Sequence, residues 1–90
     1  MKASVYDEIK TLTDVESEFF GWLIPRGTIG TVVECYLQPK EGYAVDVAIP
    51  DKDRDGEFLY DNVILFPDQF EVMTTAVSRN AQERSPSSVW

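Results

Sequence analysis

Two glycines placed three residues apart, Gly27 and Gly30, stand directly before a run at 31–37 that opens with three β-branched residues. Glycine adopts positive φ without the steric cost of a Cβ atom, so this spacing suits a tight turn. β-Branched side chains pack well on a pleated sheet, and this run is the clearest strand in the chain. We therefore predict that Gly27 and Gly30 form a structural turn that leads into a central strand.

The segments that follow are predicted to be strands separated by turns. Residues 38–42 are a turn cluster, and apolar residues alternate with small or acidic ones along residues 43–49. A second turn at residues 50–56 closes on an Asp-Gly pair, which tolerates left-handed conformations. Residues 57–60 then lead into a third central strand, and residues 62–66 either continue it or turn a corner.

The two ends of the chain complete a set of five strands. Residues 5–12 alternate with a period of two, which suits a half-buried edge strand better than a helix over residues 6–18, whose apolar stripe is thin. Residues 67–70 predict a single helical turn before a short last strand at residues 71–74. Residues 78–90 are polar and aperiodic, which is typical of a disordered tail.

The whole chain is expected to form one all-β domain at residues 1–77, followed by a flexible tail at residues 78–90. A chain of 90 residues has the length of a single domain. Five short strands with turns between them favour a small five-stranded SH3-like barrel, partly open, because near closure hides the edges of such a sheet. The predicted barrel carries a short helical turn before its last strand.

Residues 13–25 fit neither the helical nor the strand period and predict a long loop with at most one helical turn. Three aromatic side chains lie in it: Phe19, Phe20 and Trp22. Long loops often carry binding function, so these side chains are candidate partner-binding residues. Two interpretations stay open, a lid over the core of the barrel and an exposed anchor for a partner.

The net charge of −8 disfavours duplex nucleic acid as a partner, because phosphate backbones are bound by clustered lysine and arginine. An acidic surface suits a basic protein partner, whose approach it accelerates and orients. Residues 41–71 hold nine carboxylates against two cations. From this segment we select as candidate partner-binding residues Asp46, Asp51, Asp53, Asp55, Glu57 and Asp61; a solvated rim without a binding role is the alternative.

The turn at residues 51–56 matches the opening of an EF-hand calcium loop, which makes Asp51, Asp53 and Asp55 a weak calcium candidate. The twelfth position of such a loop requires a bidentate glutamate, and here it is Asn62. The flanking segments are also predicted to be strands rather than the helices of an EF-hand. A solvated hairpin turn is therefore favoured, with no metal.

We expect no enzymatic activity and no cofactor. The chain has no histidine, and its single cysteine, Cys35, lies within an apolar strand pattern that predicts a buried structural thiol. Nucleophilic catalysis therefore lacks an activated group. The first residues lack the apolar core of a signal peptide, and no run of about 18 apolar residues occurs, so a soluble cytoplasmic protein is expected.

Residues 27–34 resemble the G-x-x-G-x-V turn of several SH3-like families, including the KOW motif of ribosomal and transcription proteins. Together with residues 6–9, 43–47 and 67–71, the order of motifs resembles the family named domain of unknown function 4926. These are small bacterial proteins, frequent in cyanobacteria. The resemblance covers about residues 5–73, and the long aromatic first loop and the Asp-rich turn depart from the usual pattern.

The resemblance implies an SH3-like barrel without known catalytic residues, in a family whose small acidic members look like antitoxin or immunity proteins. The leading hypothesis is accordingly a non-catalytic module that neutralises a basic partner protein, such as a cognate toxin. An accessory subunit of a ribosomal, transcriptional or photosynthetic complex is the second hypothesis. The third, nucleic-acid binding through the KOW-like turn, requires Arg26, Lys40 and Arg54 to converge.

Overall fold

The computed structural model of the chain describes residues 1–17 and 21–75. In these residues the regular structure is almost entirely β. The strands are β1 (Glu8–Thr11), β2 (Val15–Glu16), β3 (Leu23–Ile24), β4 (Ile29–Tyr36), β5 (Gly42–Pro50), β6 (Phe58–Leu65) and β7 (Phe70–Thr74), and a 3₁₀ turn spans Pro67–Gln69. The predicted all-β class and the helical turn before the last strand are confirmed.

Five strands form one antiparallel sheet in the order β6-β5-β4-β1-β7, and β2 pairs with β3 in a separate two-stranded ribbon. The strands β4, β5 and β6 follow one another as a meander, with Asp46 of β5 between Thr31 of β4 and Asn62 of β6. Among the described residues β6 and β7 stay at opposite ends of the sheet. The sheet therefore does not close into a barrel there.

The first strand lies inside the sheet, between β4 and β7, so its prediction as an edge strand was wrong. It is also shorter than residues 5–12, because a turn precedes it. Tyr6 has a φ of 73°, which a strand cannot include. The turn is held by two hydrogen bonds, from the Asp7 amide to the Ser4 carbonyl (3.0 Å) and from the Ser4 amide to the Asp7 carboxylate (2.9 Å).

Residues 13–25 and 58–65 refine two further predictions. The predicted long loop at residues 13–25 contains the short strands β2 and β3. The segment predicted either to continue the third strand or to turn a corner continues it, as the single strand Phe58–Leu65. The predicted disordered tail at residues 78–90 lies outside the described residues, as do Phe19 and Phe20.

The hydrophobic core lies between one face of the sheet and the β2–β3 ribbon. Its members are Ala3, Ile9, Ile24, Val32, Tyr43, Val45, Val47, Val63, Leu65 and Phe70. Tyr43 and Phe70 meet edge to face, with ring centroids 5.2 Å apart and an interplanar angle of 78°. Ile24 of the ribbon is fully buried, and Val15 and Trp22 pack against the same cluster. The ribbon thus covers this core face, while the other face of the sheet, here called the outer face, carries the exposed side chains.

None of the helical structure at residues 1–17 and 21–75 has the length and hydropathy to cross a membrane.

Candidate functional site

The outer face of β4, β5 and β6 exposes large apolar side chains. Along β6 the side chains alternate, because successive residues of a strand point to opposite faces. Asp61, Val63 and Leu65 are buried on the core side, whereas Phe58 is 49% and Tyr60 is 72% exposed. On β4, Ile29 and Val33 are also exposed. Water therefore contacts a continuous apolar surface here rather than a single apolar residue.

These side chains line a cleft of about 810 Å³ across the outer face. Its walls come from the turn that precedes β1, from residues 25–28 that lead into β4, from β4 itself, and from β5 and β6. The residues that decide its chemistry are Tyr6, Arg26, Ile29, Val33, Asp46, Phe58 and Tyr60. Three of these seven are aromatic and two are aliphatic, while Arg26 and Asp46 carry opposite charges, so the cleft is mainly a surface for hydrophobic contact.

The turn at Gly27 forms one wall of the cleft and is fixed to β1 by hydrogen bonds. Gly27 has a φ of 89°, and its amide donates to the Thr11 carbonyl at 2.9 Å. The Thr28 amide donates to the Thr11 hydroxyl at 3.0 Å, and that hydroxyl donates to the Pro25 carbonyl at 3.1 Å. The buried Thr11 side chain therefore sets the position of the turn.

Gly30 lines the cleft and permits the close approach of β4 to β5. A Cβ atom at this position would lie 2.6 Å from Cγ1 of Val45, 2.8 Å from the Asp46 carbonyl oxygen and 2.9 Å from Cγ1 of Val47. Real Cβ atoms essentially never show contacts this short, and one of the three atoms belongs to the backbone. Glycine at this position is therefore a steric requirement of the sheet.

Asp46 places a carboxylate in the cleft. Its side chain is exposed and accepts a hydrogen bond from Nδ2 of Asn62 at 2.7 Å, across the β5–β6 pair. Beside the cleft lies a smaller depression of about 310 Å³, whose lining again includes Asp46 and Tyr60. A negative charge and an aromatic ring are thus neighbours on the outer face, an arrangement that favours a cationic side chain.

The acidic turn, residues 51–57, adjoins one end of the cleft. Pro50 and Phe58 are paired and both line the cleft, and the turn connects them. Within the turn the Asp51 amide donates to the Glu57 carbonyl at 2.9 Å. Asp53 and Asp55 are exposed, and their carboxylates form no ion pair with a described residue, whereas Glu57 pairs with Arg54 at 3.4 Å.

The same turn shows no arrangement for a metal ion. Within residues 1–17 and 21–75, no group of three or more histidine, cysteine, aspartate or glutamate side chains is placed to hold one. The Asp51 carboxylate accepts the Asp53 amide at 2.9 Å, which is an ordinary contact of a tight turn. Asn62, at the twelfth position, lies on β6 and contacts Asp46 instead.

Asp61 does not lie with the other acidic candidates, because its side chain is on the core side of the sheet and only 8% exposed. One carboxylate oxygen accepts the indole N–H of Trp22 at 3.2 Å. The other accepts the backbone amide of Asn62 at 2.8 Å. Trp22 is half-buried and packs against the core. Of the two interpretations of the aromatic loop, this contact favours the lid for Trp22.

A second polar cluster joins the first residues of the chain to β5. The Tyr43 hydroxyl accepts the Lys2 amide at 2.8 Å and donates to the Glu41 carboxylate. Burial raises the pKa of Tyr43, and the hydrogen bond to Glu41 raises it further. The hydrogen bond from Tyr43 lowers the pKa of Glu41. These groups hold the N-terminal segment over Phe70 and lie away from the cleft.

Cys35 is half-buried rather than fully buried, and its thiol donates to the Ala3 carbonyl at 3.7 Å. Burial raises its pKa, and the nearby negative charges of Asp7 and Glu34 raise it further. A thiol with a raised pKa is a weak nucleophile at neutral pH. The position therefore carries no sign of thiol chemistry.

Phe58 and Tyr60 are the principal site residues that the sequence reasoning missed. They stand two residues apart on one strand, opposite Pro50 and Ala48 of β5. The period of two along residues 58–65 was a usable signal, since it places Phe58, Tyr60 and Ile64 on the face opposite Val63 and Leu65. The glycine turn was predicted only as scaffold, yet it is also a wall of the cleft.

No family model matches the chain, and neither a curated protein nor a solved structure matches it. The resemblance to the domain of unknown function 4926 family therefore stays a prediction.

Proposed function

We propose that this chain is a non-catalytic protein-binding module whose outer-face cleft binds a partly apolar, positively charged surface of a partner protein. The supporting observation is that Phe58 and Tyr60 share one cleft with the Asp46 carboxylate, and that the acidic turn adjoins it. The apolar half of this arrangement, the aromatic side chains, and the charged half, the carboxylates, each select for a different property of the partner.

The apolar half supplies affinity. Aromatic side chains bury a large area at low entropic cost, and tyrosine is enriched among the residues that dominate binding energies. Phe58 and Tyr60 are both substantially exposed in the chain alone, and Ile29 and Val33 extend the same surface. A partner that covered them would remove apolar area from water, which is the main driving force of association.

The charged half supplies orientation and the rate of encounter. Most of the net charge of −8 originates in residues 41–71, which include Asp46 and the acidic turn. Ion pairs neutralise few of these carboxylates: among the described residues, only Glu71 and Glu57 pair with a cation within 4 Å. A basic partner would therefore be attracted to this side of the molecule, and less so at high salt.

We propose neutralisation of a small basic protein in the cytoplasm, as by an antitoxin or immunity protein, as the specific form of this function, on a scaffold that is a partly open SH3-like barrel. The antiparallel order of five strands and the 3₁₀ turn support that scaffold. An accessory subunit of a larger complex would use the same cleft. Nucleic-acid binding is less well supported, because Lys40 precedes β5 and Arg54 follows it, at opposite ends of the strand.

Affinity capture with the purified protein tests the proposed function. We expect a basic protein to be retained in one-to-one stoichiometry at low salt and to be released as the salt concentration rises. The double variant Phe58→Ala, Tyr60→Ala is expected to retain no basic partner. The matched control is Leu37→Ala, which removes an apolar side chain that is 60% exposed but does not line the cleft.

Retention of the same partner by the double variant would show that the cleft is not the binding surface. A partner that is acidic, or whose binding is insensitive to salt, would contradict the proposed chemistry. For the antitoxin form, the captured protein must be toxic when expressed alone and harmless when co-expressed with this chain.

A further inference from the structure

Within the part of the chain that the structure describes, the strand β6 is an edge of the five-stranded sheet. It is eight residues long, pairs with β5 without a bulge, and contains neither proline nor lysine. Bulges, proline and lysine are devices by which natural proteins protect such edges from pairing with another chain. β6 has none of these three and carries one other such device, the inward-pointing Asp61 in its middle, which leaves the backbone at Phe58 and Tyr60 beside the cleft.

The register shows which backbone groups face away from the sheet. The Asp51 amide donates to the Glu57 carbonyl, while the Glu57 amide donates to the Arg54 carbonyl, so the single bond to Asp51 marks Glu57 as a hydrogen-bonded position in the same register as the β5–β6 ladder. In an antiparallel ladder hydrogen-bonded pairs alternate with non-bonded ones. Counting from Glu57, the N–H and C=O groups of alternate residues therefore point outward, at Phe58, Tyr60, Asn62 and Ile64.

One of these four positions is occupied by a side chain. The Asn62 amide donates to the Asp61 carboxylate at 2.8 Å, and the same side chain is held by Trp22. The amide of Asn62 therefore has a partner already. This divides the edge into two parts, and the part at Phe58 and Tyr60 is the one whose side chains line the cleft.

We propose that the edge of β6 at Phe58 and Tyr60 binds a short extended segment of the basic partner as an added strand, an inference that rests on the proposed function. Strand addition obtains affinity from main-chain hydrogen bonds and specificity from alternate side chains. Phe58 and Tyr60 each direct one backbone N–H and one backbone C=O outward, so the stretch supplies two donors and two acceptors. The binding stretch ends before Asn62, because the Asp61 carboxylate already accepts the next outward-facing backbone amide, that of Asn62.

The occupant is a basic segment and not a second copy of this chain. Two copies would each bring a net charge of −8 to an interface that adjoins the acidic turn. A segment in which an apolar residue and a lysine or arginine stand two positions apart instead matches the surface on both counts, because residues i and i+2 of a strand share a face and both would lie on the outer face. Its apolar side chains contact the rings of Phe58 and Tyr60, and its lysines or arginines lie within reach of Asp46 and the acidic turn.

The probe for this inference is a short peptide with blocked ends in which valine and lysine take turns at every second position with threonine between them, so that valine and lysine share one face; it is titrated into the full chain and followed by NMR. We expect slower hydrogen exchange at the Phe58 and Tyr60 amides on binding. The Ile64 amide, which also faces outward but lies beyond Asn62, is expected to change little. The same peptide with glutamate in place of each lysine is the control for charge and should not bind.

Proline substitution separates backbone pairing from side-chain contact. Tyr60→Pro removes both the aromatic ring and the outward backbone N–H, whereas Tyr60→Ala removes only the ring and keeps the N–H. The Ala48–Tyr60 pair is a non-bonded one, so proline costs no hydrogen bond to β5. We expect Tyr60→Pro to bind the peptide roughly tenfold more weakly than Tyr60→Ala. Ile64→Pro and Ile64→Ala, on the other part of the edge, are expected to bind alike.

The outcomes distinguish the inference from the function on which it rests. Peptide binding that perturbs Asp46 and the acidic turn without protecting the Phe58 and Tyr60 amides would overturn strand addition and leave the cleft proposal standing. No binding of the peptide, when a basic partner is captured by the cleft, would also overturn it. A dimer of the chain alone with these amides protected would show that a second copy occupies the edge. Should Tyr60→Pro fail to fold, the hydrogen-exchange measurement on the unaltered chain still decides whether the peptide pairs with the β6 backbone.

Discussion

Trp22 donates its indole N–H to the carboxylate of Asp61 across 3.2 Å, and this bond connects the β2–β3 ribbon to the edge strand β6. A carboxylate on the core side of a sheet is costly unless it is hydrogen-bonded. The Asp61 carboxylate has two donors, the Trp22 indole and the Asn62 amide, which explains how a charged residue occupies a position flanked by Leu59 and Val63.

Removal of this carboxylate is expected to destabilise the fold. Asp61→Ala leaves the Asn62 amide and the Trp22 indole without this acceptor, and we expect a loss of about 1–3 kcal/mol in the free energy of unfolding. Urea denaturation monitored by tryptophan fluorescence measures it. Asp46→Ala, which removes an exposed carboxylate from the neighbouring strand, is the matched control and should cost less. Equal losses in both variants would contradict a structural role for the Trp22–Asp61 bond.

Gly30→Ala is expected to destabilise the sheet by about 1–3 kcal/mol, because the added methyl group overlaps the Asp46 carbonyl and two valine side chains of β5. Gly42→Ala is the comparison, since a Cβ atom there finds its nearest neighbour at 3.6 Å and fits without displacement. Thermal unfolding of both variants tests the prediction. A Gly30→Ala protein as stable as Gly42→Ala would show that β4 and β5 separate more easily than their packing indicates.

Acid is expected to weaken the contact between Glu41 and Tyr43. The pKa of Glu41 is lowered in the folded chain, chiefly by the Tyr43 hydrogen bond. A group with a lowered folded-state pKa contributes stability above its unfolded pKa, about 4.3 for glutamate, and that contribution is lost as the pH falls through the lowered value. In Glu41→Gln, which keeps an acceptor but does not titrate, the free energy of unfolding should fall less steeply as the pH drops below about 4.3. Parallel curves for the two proteins, from urea denaturation across a pH series, would refute the linkage.

Calcium is expected to leave the acidic turn unchanged. The Asp51 carboxylate already accepts the Asp53 amide, and no metal-binding group of three side chains is present in the described part of the chain. The measurement is a calcium titration followed through the backbone amide signals of residues 51–57. Saturable shifts in those signals would mean that the turn rearranges to bind the ion.

The strands of the central meander were predictable from local sequence. The alternation at residues 43–49 and the β-branched residues that open the run at 31–37 are local signals, and both segments form strands within one or two residues of the predicted limits. The turns between them contain glycine and proline, whose backbone preferences act locally. The 3₁₀ turn at Pro67–Gln69 was predictable for the same reason.

The position of β1 and the cleft were not predictable in this way. The alternation of residues 8–11 is the same for an edge strand and an interior one, so only its pairing with β4 and β7 decides between them. Likewise, the composition of residues 57–61 gives no sign that Asp46 and Asp61 fall on opposite faces. That separation follows from the β5–β6 register, which pairs Asp46 with Asn62.

The sequence by itself determined the all-β class, the glycine turn, the strand meander and the acidic charge, because each depends on residues close together in the chain or on composition alone. The tertiary structure decided which of those residues share a surface. It buried Asp61 against Trp22 and brought Phe58, Tyr60 and Asp46 together beside the Gly27 turn. Residues far apart in the chain meet only through strand pairing, and a shift of one residue in register would exchange the faces of every side chain on β6.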